Sequence, residues 1–181
     1  MNNIQPTDLL QEISNFITDT SIKDHKKLLK LLNLSPKPDW VREHPYAKGV
    51  KYIPIGIVET LLARVFGRVR IEVKDTKIIA NSVAVTVRVH YYNPAFWEWD
   101  YQDWLGAMPI QVDKGKNPIA FEFIKSNSIQ LALPCAKSYA IKDACEHLWA
   151  LFGRDLNRKE HMEYADIYPE ALKLDNLTKH E

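Results

Sequence analysis

Glycine is scarce in this sequence, with six in 181 residues, and no two of them stand at the spacing of a phosphate-cradling loop. Without GxxxxGK[ST] or GxGxxG, neither a P-loop nor a dinucleotide-binding turn has a place to form. Cysteine is scarcer: Cys135 and Cys145 are the two in the chain, ten residues apart in one predicted helix. That separation rules out a disulfide or a shared metal site within the helix, and the pair reads as reduced thiols in a cytosol. No apolar run approaches the roughly 18 residues of a membrane-spanning helix. The opening MNNIQPTDLL lacks the basic and apolar regions of a signal peptide. Metal-site spacings such as HExxH and CxxC are missing as well. His147 follows Glu146 and His161 precedes Glu163, but neither pair has a third ligand at a suitable distance. Cys145 then reads as a small core residue, and Asp143 as a structural acceptor rather than a general base.

What remains is the composition of an ordinary globular chain, 46% hydrophobic and 26% charged, long enough to bury a sizeable core. The net charge of +1 hides a segregation. Residues 48–90 carry eight Lys/Arg against three acids, while 91–113 carry four acids and no Lys or Arg. Beyond Arg158 there are six acids against three lysines. A basic stripe within a near-neutral chain suits phosphate binding, and adjoining patches of opposite sign suit self-assembly.

The densest helical signal is Pro134–Arg158, PCAKSYAIKDACEHLWALFGRDLNR. Pro134 suits a first helical position and Gly153 a C-terminal stop. Ala136, Ala140, Ala144, Leu148 and Leu151/Phe152, widened by Ile141 and Cys145, form a stripe that can lie close on a sheet. Upstream, residues 1–34 read as two short amphipathic helices ended by Ser35-Pro36-Lys37-Pro38. Residues 39–48 follow as an ordered loop anchored by Trp40 and Tyr46. Pro54 to Gly67 is a helix with Ile57, Val58, Leu61, Leu62 and Val65 buried. Arg68–Lys74 alternates as a strand, Val69, Ile71 and Val73 inward. Ile78–Tyr92 is a longer strand with Val83, Val85, Val87, Val89 and Tyr91 on one side, ended by a turn at Asn93-Pro94. Phe96–Leu105 is a third strand, and 106–120 a loop. A short strand is expected within 121–133. The pattern predicts an α+β fold, an antiparallel three-stranded sheet with a long hairpin, covered on one face by a helix. Three segments follow: 1–35 helical, 36–160 the core, 161–181 a polar acidic tail.

Arg68, Arg70, Arg88 and His90 share one sheet face if the two strands pair in suitable register, with Lys48 and Lys51 approaching from the preceding loop. Tyr91, Tyr92, Phe96, Trp97, Trp99, Tyr101 and Trp104 form a dense aromatic cluster. Its rings could stack bases, pack between subunits or fill a core. The interleaved Glu98, Asp100 and Asp103 favour a protein surface, which makes Trp97, Trp99 and Trp104 the expected anchors between copies.

At this point the residues resemble a known family. KYIPIGIVETLLARVFG, RVRIEVK, VAVTVRVHYYNP with WEWD, and AKSYAIKDACEHLWALFGRDLN are similar in order and spacing to the single-strand annealing proteins of the Rad52 superfamily, the phage Sak-type recombinases above all. The resemblance covers about residues 36–160. It implies a β-β-β-α core and side-by-side assembly into a ring or filament. Single-stranded DNA would run through a basic groove with bases exposed, and neither ATP nor metal would be needed. It also implies a phage protein in the cytoplasm of a bacterial host, with a host single-strand binding protein and a phage exonuclease as partners. Where relatives place a DNA-contacting arginine this chain has Ile57, and three basic positions of their final helix fall at Glu146, His147 and Ala150. The contacts then pass to Lys137, Lys142, Arg154 and Arg158. Two other readings stay open: a passive coat for single strands, and a metal-dependent nuclease built on Asp100 and Asp103.

Overall fold

The computed structural model describes residues 25–45 and 47–158. The first predicted helix, the anchor Tyr46 and the acidic tail lie outside them. Helix α2, Ile55–Phe66, has the boundaries its sequence signals predict. Pro54 stands just before it with φ already at −55°, and Gly67, at φ +68°, ends it in a conformation that costs glycine little. Val58, Leu61, Leu62 and Val65 are buried as one stripe, with Ile57 half-buried beside them. Each such side chain removed from water contributes about 1.5–3 kcal/mol before entropy is counted. Ahead of α2 stand α1, His25–Leu32, and a small ribbon of β1, Arg42–Glu43, with β2, Lys51–Tyr52. The leucines Leu28, Leu31 and Leu32 of α1 belong to the same core as α2, so this helix is part of the main body.

Three antiparallel strands follow, β3 (Val69–Ile79), β4 (Ser82–Asn93) and β5 (Glu98–Pro109), in the order β3-β4-β5. The central strand keeps the predicted alternation: Val83, Val85, Val87, Val89 and Tyr91 are buried on one face. Helix α3, Ser128–Glu146, lies against β4 and β5 on that face. The architecture is α+β, a sheet covered on one side. No helix among the described residues is long and apolar enough to cross a membrane.

Several predicted boundaries move. Helix α3 begins at Ser128, not Pro134, which sits inside it and leaves one carbonyl without a main-chain donor. It stops at Glu146. The rest of the predicted stripe runs on through a 3-10 turn, Ala150–Phe152, entered at Trp149 with φ +89° and left at Gly153 with φ +100°. The stripe itself holds, from Ala136 through Phe152. Strand β5 continues through Gly106, where a loop was expected. A Cβ at Gly106 would strike the backbone of Ala136 and Ala140, so the alanine stripe brings the helix directly onto this glycine. The strand expected within 121–133 is instead a 3-10 turn, Phe121–Phe123, one isolated bridge between Ile124 and Val112, and the first turn of α3.

Strand β3 departs from its predicted burial. A bulge between Val73 and Asp75 breaks its register with β4, and α3 lies on the other two strands. Val73, expected inside, is half exposed, as are Ile78 and Ile79 farther along.

Candidate functional site

Register, which alternation does not encode, decides what the basic residues meet. Arg70 faces His90 and Glu72 faces Arg88 across β3 and β4, so Arg68, Arg70, Arg88 and His90 do share the face turned away from α3. On the other side of β4, Arg88 faces Asp103, His90 faces Tyr101 and Tyr92 faces Trp99. The face therefore carries three rings, Tyr92, Trp99 and Tyr101, among its cations.

Those cations differ in availability. Arg88 donates from Nε and Nη2 to both carboxylate oxygens of Asp103, at 2.7 and 2.6 Å, and its Cζ lies 3.9 Å from the Tyr101 ring centroid. That paired hydrogen bond holds the Asp103 carboxyl below its ordinary range and fixes the charge on Arg88. His90 Nε2 lies 3.0 Å from Glu72 Oε2, the first cause of the lowered Glu72 pKa. Arg68 sits 5.8 Å from the Tyr92 ring, and among the described residues neither Arg68 nor Arg70 has a carboxylate within ion-pair distance. Arg88, an expected phosphate contact, is paired with Asp103 and lies against Tyr101. Arg68 and Arg70 remain available to an outside anion.

The remaining predicted cations lie on the helix side of the sheet. The Lys142 ammonium rests 4.9 Å from the Tyr52 ring and 4.3 Å from Tyr139, half-buried, and desolvation lowers its pKa. Lys51 comes near the chain's last described turn. Its N–H donates to Asn157 Oδ1 at 2.7 Å, and Asn157 Nδ2 donates to its carbonyl at 2.8 Å. Arg154 and Arg158, expected at a helix end, stand in the turn beyond the 3-10 segment. Arg154 stacks on Trp149 and pairs with Asp155, which Arg158 also approaches at 3.7 Å. Lys48 and Lys137 are exposed. Of the nine expected contacts, Arg68, Arg70 and Arg88 thus stand on the open face, apart from Lys137 and Lys142 on the covering helix.

Glu146 stands among the helix-side cations. Burial first, and then the neighbouring Asp143, push its carboxyl up to about 7. In the sequence Glu146 stands out only beside His147, because no motif marks the burial of an acid on a polar helix face.

The aromatic cluster divides too. Trp97 lies in the turn after β4 at φ +60°, its carbonyl accepting from Tyr92 Oη at 2.9 Å. Trp99 is on the open face. Trp104 is on the helix side, its ring 4.4 Å from His147 and close to Asp143, whose carboxyl burial pushes up. The three expected anchors do not make one surface. The two aspartates of the nuclease reading also face apart: Asp103 joins Arg88 on the open side, while Asp100 accepts from the buried Tyr91 hydroxyl at 3.1 Å. They cannot share a metal ion, and no group of three potential metal-binding side chains occurs among the described residues.

Compared with known proteins, the chain matches no protein-family model, and no curated protein sequence matches it.

Proposed function

We propose that this protein binds single-stranded DNA and anneals complementary strands without ATP, acting as a homo-oligomer. The observation that carries this reading is the open sheet face, where Arg68 and Arg70 lack carboxylate partners among the described residues and Trp99 and Tyr101 are half exposed. Annealing requires that backbone phosphates be neutralised while the pairing edges of the bases stay free. Arginines that read no sequence, repeated from copy to copy, meet that requirement. Each protomer offers few such cations, and sharing one strand among many protomers multiplies modest contacts.

Assembly has support in the sheet edges. Among the described residues both β3 and β5 are edge strands, of 11 and 12 residues. Strand β5 carries Glu98, Asp100 and Asp103 with no basic residue, whereas β3 carries Arg70, Lys74 and Lys77 against Glu72 and Asp75. A β3 edge meeting the β5 edge of another copy joins opposite charge and covers the exposed Val73 and Ile78, in a head-to-tail contact that closes into a ring or continues as a filament.

The test is strand annealing followed by fluorescence, with ATP omitted and a chelator present. Duplex should form faster than it does spontaneously, and Arg68→Gln with Arg70→Gln should weaken binding to all sequences alike and reduce the salt dependence. Binding without any acceleration of pairing would leave only a passive coat. No binding at moderate salt would sink the reading.

A further inference from the structure

We infer that the open face of the sheet is a stacking platform for the bases of a single strand, with Trp99 and Tyr101 as its two principal rings. This rests on the reading of the protein as a single-strand binder and goes beyond it, because the cations alone require only a backbone. The two residues stand two apart on β5, so they share a face about 7 Å apart by the strand's rise. That is about twice the 3.4 Å step between stacked bases in one strand of duplex DNA. A strand laid along β5 would therefore be drawn out, one base to each ring, its pairing edges turned outward.

The rings are held for this purpose. Arg88, clamped by Asp103, covers one side of Tyr101, yet the tyrosine remains 49% exposed. Tyr92 meets Trp99 edge to face at 5.8 Å and widens the platform, while Trp99 is 53% exposed. Arg68 lies on the row of Tyr92 and Trp99, and Arg70 on the row of His90 and Tyr101, both placed to take phosphates of the same strand. This complement of unpaired cations bordering half-exposed rings is what favours a polyanion carrying flat bases over a second protein surface.

The experiment measures binding of a short labelled oligothymidine by anisotropy at several salt concentrations, with full-length protein. Trp99→Ala and Tyr101→Ala should each lower affinity about ten- to a hundredfold, the range for losing one stacked base. The slope against salt should not change, since no phosphate contact is removed. Trp99→Phe and Tyr101→Phe keep a ring and should retain binding, which separates lost stacking from lost fold. A probe of the same length made of abasic residues should bind the parent and the alanine variants equally. Parental affinity in both alanine variants overturns the inference and leaves the annealing reading standing. A fall in light-scattering mass in those variants also overturns it, because the face would then be an interface between copies. A parent protein that binds no oligothymidine overturns both.

Discussion

Glu146 has its carboxyl on a half-buried flank of α3, near Asp143, Lys142 and Arg158. Its folded pKa of about 7 lies above the ordinary 4.5, so the folded chain holds this proton more tightly than the unfolded one. The resulting stability is fully present below 4.5 and is lost as pH rises through 7. Thermal unfolding temperatures should fall across that window, and Glu146→Gln should flatten the fall. An unchanged slope in the variant would assign the effect elsewhere. Gly106 makes a simpler case. With the backbone of Ala136 and Ala140 against it, Gly106→Ala has no room, and chemical denaturation should show a loss of about 1–3 kcal/mol or more from forced overpacking. Neither residue is marked in the sequence. Gly106 reads as a loop former until the helix above it is known, and the environment of Glu146 depends on chain brought from elsewhere.

Among the elements, α2 and β4 were the most legible, for reasons that differ. Proline and glycine bracket α2 at positions where each has a backbone reason to stand. Strand β4 is central, covered on one face, and so must alternate strictly. Helix α3 was legible in its stripe and illegible at its start, because a proline seven residues in reads as a first turn. Pro134→Ala should restore the missing hydrogen bond and raise stability by up to about 3 kcal/mol, as measured by denaturant midpoint. A variant no more stable than the parent would mean that the backbone there is already bent to suit the ring. Period two put Arg68 with Arg70, and Arg88 with His90, on one side of each strand, and the register of β3 with β4 then joined the two pairs. The acidic partners of Arg88 and His90 were not legible, since pairing across strands depends on turn lengths and on the bulge near Lys74.

At the scale of the whole molecule, two sheet edges remain unpaired by any described strand, and they define how copies can meet. Val73→Lys with Ile78→Lys places charge on the exposed apolar strip of β3, the usual defence of an edge strand. Light scattering should then report smaller species than the parent forms, while a short oligonucleotide still binds. A parent that is monodisperse at its 21.0 kDa monomer mass, even on single-stranded DNA, would refute assembly.

The clamp between Asn157 and the backbone of Lys51 joins residues 106 apart in sequence. A ribosome making roughly 5–20 residues per second needs about 5–20 s to cover that interval. Throughout it, the β1–β2 ribbon has left the exit tunnel without the asparagine that closes it. The ribbon is therefore among the first parts synthesised and the last secured. Pulse-labelled hydrogen exchange on stalled chains should find the Lys51 amide unprotected until Asn157 has emerged, and protection before then would mean the ribbon closes by other means.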